Sequence, residues 1–369
     1  MRGGWDADTV RLAPAPAGRG LAVLVQQLLI RMREPRLPRS RLAPPPCGAD
    51  GLTVRLLRDK SSRRRLVLNG LSATVAAVLL VFAVRHFSQT GWPLANANPR
   101  LVAAAGVLFL LAYGLKAFGW QRLFAPDERP GRLALAAAAG AASVGGAALP
   151  GRVDDAIRVA FLRRYPGRKP GVGTLCLSLF MLGLIDTIAL APFASVAAAT
   201  GEVPLAVRIG LAVVATAGLG AAGVVLGLPR LGASRRLQRF RVVRWLSSRV
   251  TCAREASAAA VFISLSWLVR AAGLLLLLGA LGVGLSLPLA LLFLCAAAAS
   301  GALPVAPAGA ATQAGAGAAV LVAAGLSTTQ AIGFAVAAQV LVILAGATVL
   351  LGALAWSGGR VLLGRALAA

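Results

Sequence analysis

Long apolar segments separated by charged loops are the feature that most constrains this chain. An α-helix needs roughly 20 residues to cross about 30 Å of hydrocarbon. Segments of about that length occupy residues 66–84, 101–120, 172–199, 205–228, 257–282 and 328–356. With 58% hydrophobic and 14% charged residues, the chain lacks the polar surface of a soluble domain. The sequence therefore predicts an all-α polytopic membrane protein with about six full spans.

The charge balance is strongly basic, with 38 Lys and Arg residues against 12 Asp and Glu. The basic residues fall mainly in the N-terminal tail and in the loops, which is typical of the positive-inside rule. Aromatic residues make up only 5% of the chain, so the basic and aromatic patches of a nucleic-acid binder are missing. We expect a multi-pass cell-membrane protein with cytoplasmic N- and C-termini and no nucleic-acid partner.

Three regions follow from this pattern. Residues 1–65 contain fourteen Lys and Arg residues and no sustained hydrophobic period, which predicts a disordered basic cytoplasmic tail. An over-long gene start, with the protein beginning near Arg63, explains the same segment equally well. Residues 66–356 form the predicted helical transmembrane domain, and residues 357–369 form a short cytoplasmic tail.

The first interruption of the apolar pattern follows residues 133–148, which contain no charge. The loops on both sides of this segment are basic, and the positive-inside rule places both in the cytoplasm. A re-entrant hairpin over residues 133–165, turning inside the membrane at Pro150 and Gly151, satisfies both loops. A full crossing is the alternative.

A second interruption lies within residues 287–325, which contain no charge and are broken at Pro304, Pro307 and Gly309. This region predicts either two short spans or a second hairpin that enters from outside. With a second hairpin, the order of span, broken hairpin and span occurs twice in opposite orientation, as a possible inverted repeat. Paired breaks in two halves of a chain indicate a transporter-type binding site.

The charged residues after the first break form a candidate phosphate site. Arg152 at the start of a predicted helix over 152–164 combines a guanidinium with free backbone N–H groups, which suits phosphate. Arg158 would share the headgroup, and Asp155 would hold one of the arginines in place. The alternative is a surface helix whose acids and bases only complement the helix dipole.

Asp186 lies in the middle of an apolar span, where an ionised carboxylate is costly unless it is paired. We expect it to face the bundle interior, toward Arg152 or Arg158. Lys116 is close to a span end and is expected to snorkel, and Glu255 is expected to be solvated. Three further polar side chains are expected in the interior: Arg270, Gln313 and Gln339.

Enzymatic and metal chemistry find little support. His86 is the only histidine, the four cysteines form no CxxC pair, and no Ser/His/Asp set can be assembled. We predict no metal site, no cofactor and no catalytic activity. We predict instead a lipid-handling protein that translocates or binds an anionic phospholipid or a polyprenyl-phosphate-linked lipid. The alternatives are a membrane subunit assisting a separate glycosyl- or aminoacyl-transferase, and an enzyme acting on a lipid-linked sugar. No oligomeric state is predicted.

Residues 143–160 contain the run Leu-Pro-Gly-Arg-Val-Asp-Asp-Ala-Ile-Arg. This run resembles the LPGR-x-G-(D/E)-x-x-R motif of the lysylphosphatidylglycerol synthase transmembrane-region family. Proteins of that family are similar to the flippase-like membrane half of the multiple peptide resistance factor. The resemblance covers roughly residues 64–356, and the Pro/Gly segment after Leu303 looks like the second such segment of the family.

The resemblance implies roles for Arg152, Asp155 and Arg158, which match motif positions, and for Asp186, which matches an acid in the next span. The chain departs from the family where Asp154 replaces glycine and where neutral residues replace charged ones, at Leu182-Gly183, Gln313-Ala314 and Val340. The family's cytosolic aminoacyltransferase domain has no counterpart in the sequence. The resemblance therefore implies lipid translocation rather than aminoacyl-lipid synthesis.

Overall fold

The computed structural model describes residues 85, 92–148, 153–200, 203–233, 253–302 and 309–366. All regular secondary structure in these ranges is helical. The helices are α1 (Pro99–Arg122), α2 (Arg132–Ala148), α3 (Asp154–Arg164), α4 (Val172–Thr200), α5 (Leu205–Ala233), α6 (Ala253–Ala280), α7 (Leu287–Ala302), α8 (Gly309–Ala323) and α9 (Thr328–Ala366).

Five helices are long and apolar enough to cross a membrane, namely α1, α4, α5, α6 and α9. They confirm five of the six predicted spans, and the remaining one, residues 66–84, lies outside the described residues. The helices extend beyond the apolar segments at several ends. Helix α5 continues past residue 228 to Ala233, and the last helix continues past Trp356 to Ala366.

Three apolar helices are shorter, with 17 residues in α2, 16 in α7 and 15 in α8. At a rise of 1.5 Å per residue they are roughly 22–26 Å long, less than the hydrocarbon thickness of about 30 Å. Helix α3 has only 11 residues and begins at Asp154, two residues later than expected. Residues 149–152 and 303–308 lie outside the described residues. The predicted break residues Pro150, Gly151, Pro304 and Pro307 are among them, whereas Gly309 begins α8.

Helices α1 and α6 form a closely packed antiparallel pair. Asn98 caps α1, with its side chain accepting a hydrogen bond from the Arg100 backbone N–H, and its own N–H donates to the Ala280 carbonyl at 3.0 Å. At the other end, the Arg122 guanidinium lies 3.1 Å from the Glu255 carboxylate. Between these ends, the Ser266 hydroxyl donates to the Ala112 carbonyl at 2.9 Å. The pair is therefore joined along its whole length.

Small residues allow other helices to approach closely. A Cβ at Gly140 of α2 would overlap the Gly346 carbonyl of α9, and a Cβ at Gly218 of α5 would meet the Thr187 carbonyl of α4 at 2.7 Å. Helices α7 and α8 pack through an aromatic side chain instead, because Phe293 covers Gly317. The outer faces of the long helices carry exposed apolar side chains, most of all on α5, as expected for contact with lipid.

Candidate functional site

A cavity of about 180 Å³ lies where the two broken regions meet. Seven helices line it, with residues from both sides of each break. The first break contributes Gly146 and Ala147 before it and Asp154 and Arg158 after it. The second contributes Gly301 before it and Gly309, Ala310 and Gln313 after it. The long helices add Tyr113, Lys116, Arg270, Gln339 and Val342.

The backbones of the two broken regions approach each other closely at this cavity. A Cβ added to Gly309 would come within 3.5 Å of the Gly146 carbonyl, so the first turn of α8 is next to the last turns of α2. Gly309 is the first residue of α8, so the backbone N–H groups of its first turn, which have no partner within the helix, lie at the cavity wall. The positive end of a helix dipole therefore contributes to the local field.

Arg270 of α6 is the cation with the least compensation in the cavity. Its guanidinium lies over the Tyr113 ring at 5.6 Å and over the Trp267 ring at 5.3 Å from the centroids. Its Nε is buried and makes no hydrogen bond within the described part of the chain, and no carboxylate there lies within ion-pair distance of it. The two aromatic faces favour the charge without neutralising it, which leaves the guanidinium available to an anion.

Arg158 of α3 is the second guanidinium at the cavity, and two acids hold it. Its Nη1 lies 2.6 Å from the Asp155 carboxylate, and its Nη2 lies 3.8 Å from Asp154. The Asp155 side chain is 61% exposed, whereas that of Arg158 is 23% exposed. The structure thus pairs Arg158 with Asp155, as expected for a carboxylate that holds an arginine in place. Arg152 lies outside the described residues.

Asp186 of α4 is not paired with Arg158, and the other expected partner, Arg152, lies outside the described residues. One carboxylate oxygen accepts from the Lys116 ammonium at 2.8 Å, and the other accepts from the Trp267 indole N–H at 2.7 Å. Asp186 therefore joins α1, α4 and α6 and contacts neither Arg158 nor Arg270 directly. The snorkelling prediction for Lys116 was wrong, because its side chain is 17% exposed and is engaged in this ion pair.

Neutral polar groups complete the cavity wall. Gln313 and Gln339 line it, as expected for interior side chains. The Tyr113 hydroxyl makes a hydrogen bond with the Ser143 hydroxyl and donates to the Val342 carbonyl at 3.3 Å. Tyr113 thereby links α1, α2 and α9 beside Arg270. In the described ranges, no group of three or more His, Cys, Asp or Glu side chains is placed to hold a metal ion.

Glu255 was expected to be solvated, but it forms an ion-pair cluster at one end of the bundle. Its carboxylate lies 3.1 Å from Arg122 and 3.6 Å from Arg129, and its side chain is 26% exposed. The cluster does not line the central cavity. Its effect is structural, because it fixes the end of α1 to the start of α6.

The arrangement can bind the charged part of a ligand but not a whole lipid. Pockets for drug-sized ligands enclose about 300–1,000 Å³, so a cavity of about 180 Å³ is sized for a headgroup fragment. Ionised groups inside a membrane protein are costly unless they are paired or serve a polar path. Among the described residues, three cations line the cavity, and two of them, Lys116 and Arg158, are paired with carboxylates, so that Arg270 supplies the surplus positive charge.

Comparisons with known proteins agree with the membrane architecture. The family model described as lysylphosphatidylglycerol synthase TM region matches residues 69–352, which is well over half of the chain. Comparisons with curated proteins and with solved structures gave no match. The matched range includes both broken regions and every residue that lines the cavity. This multi-pass membrane protein therefore belongs to the lysylphosphatidylglycerol synthase TM region family.

Proposed function

We propose that this protein binds and translocates an anionic phospholipid or a polyprenyl-phosphate-linked lipid, with the phosphate held in the central cavity. The observation that carries the proposal is Arg270, a guanidinium inside the bundle that has aromatic neighbours and no carboxylate partner in the described residues. A phosphate oxygen is the natural partner for such a group, since guanidinium and phosphate form strong, charge-assisted hydrogen bonds.

Two further features support a phosphate in this place. Arg158 presents a second guanidinium to the same cavity, and its pairing with Asp155 limits its movement. The first turn of α8 adds backbone N–H groups, which bind phosphate at many helix starts. We therefore keep Arg158 in the role assigned from the sequence and add Arg270 to it, while the role of Arg152 stays a prediction.

Translocation requires that the cavity open to each leaflet in turn. The two broken regions meet at the cavity, and breaks of this kind flank the substrate in transporters built from inverted repeats. We propose that the first region is a hairpin entering from the cytoplasm and that both termini are cytoplasmic. Labelling of a Pro150→Cys variant by an impermeant thiol reagent checks this topology. Reaction from the outside only would refute it and support a full crossing.

The transport proposal is tested in vesicles reconstituted with the purified full-length protein and fluorescent phosphatidylglycerol. Exchange between leaflets is measured by dithionite quenching of the outer leaflet. We expect Arg270→Gln to slow exchange at least about tenfold, the equivalent of about 1.4 kcal/mol, because the surplus cation is lost. Arg158→Gln should slow it less, because that guanidinium is already compensated.

Arg163→Gln is the matched control, because Arg163 is an exposed residue of α3 and does not line the cavity. It should exchange lipid at the wild-type rate. Equal rates for wild type and Arg270→Gln would contradict the phosphate assignment. Tight lipid binding without any exchange would instead favour a non-catalytic membrane subunit that presents lipid to a separate transferase.

A further inference from the structure

Trp267 of α6 contacts three charged side chains at once. Its indole N–H donates to the Asp186 carboxylate at 2.7 Å. Its ring centroid lies 5.3 Å from the Lys116 Nζ and 5.3 Å from the guanidinium carbon of Arg270. Trp267 is 8% exposed and does not line the cavity, whereas both of these cations do. The indole therefore lies behind the cavity wall, where it contacts the charged groups but not the space for a ligand.

The pairing of Asp186 is unusual for a carboxylate with two cations in its surroundings. A carboxylate pairs most strongly with a guanidinium, because two parallel N–H groups bind both of its oxygens. In the described part of the chain, Asp186 instead pairs with the Lys116 ammonium, and Arg270 keeps a buried Nε without a hydrogen bond. Both cations contact the same indole ring, so the guanidinium is not remote from the carboxylate.

The indole N–H accounts for this pairing. One oxygen of Asp186 accepts from Trp267, and the other accepts from Lys116 at 2.8 Å. With one oxygen held by each donor, the carboxylate is not oriented to present both oxygens to a guanidinium. Hydrogen bonds to an ionised acceptor are strong, and more so in a bundle interior than in water. The Arg270 guanidinium meanwhile lies against aromatic faces, which favour its charge without neutralising it.

We infer that Trp267 is a positioning residue that keeps the Asp186 carboxylate on Lys116 and away from Arg270. Arg270 thereby stays available to a phosphate even though a carboxylate is nearby. Trp267 thus determines which of the two cations is neutralised, and hence where the surplus positive charge of the cavity lies. This inference rests on the proposed function, because it requires that the cavity bind an anion.

The inference is tested by removing the indole N–H and leaving an aromatic ring. In Trp267→Phe, one Asp186 oxygen loses its donor, and the carboxylate should turn toward the Arg270 guanidinium. An anion must then displace the carboxylate, so affinity should fall about tenfold, within the range measured for groups of one hydrogen-bond network. Calorimetric titration of the full-length protein in detergent measures the affinity. The probes are dihexanoyl phosphatidylglycerol and farnesyl phosphate, which represent the two lipid classes of the proposed function.

Trp120→Phe is the matched control. Trp120 is also buried, and its indole N–H donates to the Ser178 hydroxyl at 3.1 Å. The substitution therefore removes a similar hydrogen bond between α1 and α4, but the acceptor is uncharged and the residue does not line the cavity. Probe affinity should stay at the wild-type value.

A second background separates positioning from packing. If Trp267 acts through the Asp186 charge, Trp267→Phe should leave the affinity of an Asp186→Asn protein unchanged. A role in packing alone would lower the affinity by the same factor in both backgrounds. If Asp186→Asn does not elute as a folded protein, the difference between Trp267→Phe and Trp120→Phe decides. If Trp267→Phe does not fold, benzothienylalanine introduced in place of Trp267 serves instead, because sulfur then replaces the indole N–H and the shape is kept.

The outcomes separate the inference from the proposed function. If the wild type and Trp267→Phe bind a probe equally well, the inference is overturned and the proposed function stands. The inference is also overturned if Trp267→Phe lowers the affinity by the same factor with and without the Asp186 charge, or by no more than Trp120→Phe does. No binding of either probe by the wild type overturns both.

Discussion

The two broken helix pairs reach the same cavity but bring different chemistry to it. The first pair, α2 and α3, carries Asp154, Asp155 and Arg158 directly after its break. The second pair, α7 and α8, brings the Gln313 amide and the backbone of Gly309, and residues 286–356 contain no Asp, Glu, Lys or Arg. A common position in the fold therefore does not imply equal roles. On the proposed function, the first region brings the Arg158 guanidinium to the anion, and the second brings uncharged groups, namely the Gln313 amide and the backbone N–H groups at the start of α8.

The helices of the two pairs also differ in the kind of packing contact that they make. Helix α2 contacts α9 through backbone atoms at Gly140 and Gly346, whereas α7 contacts α8 through the Phe293 ring over Gly317. A backbone carbonyl cannot move without shifting a helix, but a side chain can repack. The first region should therefore be the more sensitive of the two to a change in residue size.

The largest change in stability is expected from Gly140→Ala. Its Cβ would overlap the Gly346 carbonyl, and overpacking of this kind lowers the free energy of unfolding by about 1–3 kcal/mol. The measurement is the thermal unfolding midpoint in detergent. Gly315→Ala on α8 is the matched control, because its Cβ would meet nothing within 4 Å. Equal midpoints for the two variants would show that the backbone contact is unimportant.

A second variant removes the chemical difference between the two regions. Gln313→Glu would place a carboxylate in the cavity lined by Arg270 and Arg158. Because the carboxylate would compete with phosphate for these cations, we expect phosphatidylglycerol affinity to fall about tenfold, or about 1.4 kcal/mol. Gln313→Met, of similar length and uncharged, should change affinity far less. A similar loss of affinity in both variants would show that the shape of the Gln313 side chain matters and that the added charge does not.

A smaller effect is expected at the far end of the first region. The Tyr165 hydroxyl donates to the Ala353 carbonyl at 3.2 Å and ties the end of α3 to α9. Tyr165→Phe removes this bond and should cost about 1 kcal/mol of stability, with little change in lipid affinity. Chemical unfolding and a lipid titration on the same preparation measure the two quantities. A large loss of affinity would mean that the position of α3 is controlled from this end.

The smallest change in stability is expected for Asp155→Asn. The Asp155 side chain is 61% exposed, and partly exposed ion pairs contribute about 0–1 kcal/mol. The unfolding midpoint should therefore shift little, while the weaker hold on Arg158 should alter the rate of lipid exchange. Asp127→Asn, in the loop between α1 and α2, serves as the control. A marked drop in the unfolding midpoint would show that Asp155 is a structural residue rather than a positioning one.

The sequence predicted the positions of those helices whose formation depends mainly on hydrophobicity. Five long helices coincide with predicted spans, and short helices flank both Pro/Gly breaks, all of them apolar except α3, because length and polarity of a segment are local properties. The acids and bases at the two ends of α3 were also placed correctly. The helix starts at Asp154 rather than Arg152, which is a boundary error of the usual size.

Partners across the bundle could not be predicted in the same way. Lys116 and Asp186 are 70 positions apart, and their pairing depends on how α1, α4 and α6 pack. Glu255 was misassigned for the same reason, since its partners Arg122 and Arg129 are distant in sequence. One signal was available for Lys116. It shares a helix face with Tyr113 and Trp120, at spacings of three and four residues, and both neighbours are buried.

The joined ends of α1 and α6 have a consequence for how the cavity opens. A pair held by Asn98 and Ala280 at one end and by Arg122 and Glu255 at the other cannot tilt or slide easily. Tyr113 and Lys116 belong to one member of the pair, and Trp267 and Arg270 to the other. We therefore expect the distances between these aromatic and cationic side chains to stay nearly constant. On the proposed function, we therefore expect the broken helices, and not α1 and α6, to move when the cavity opens to either leaflet.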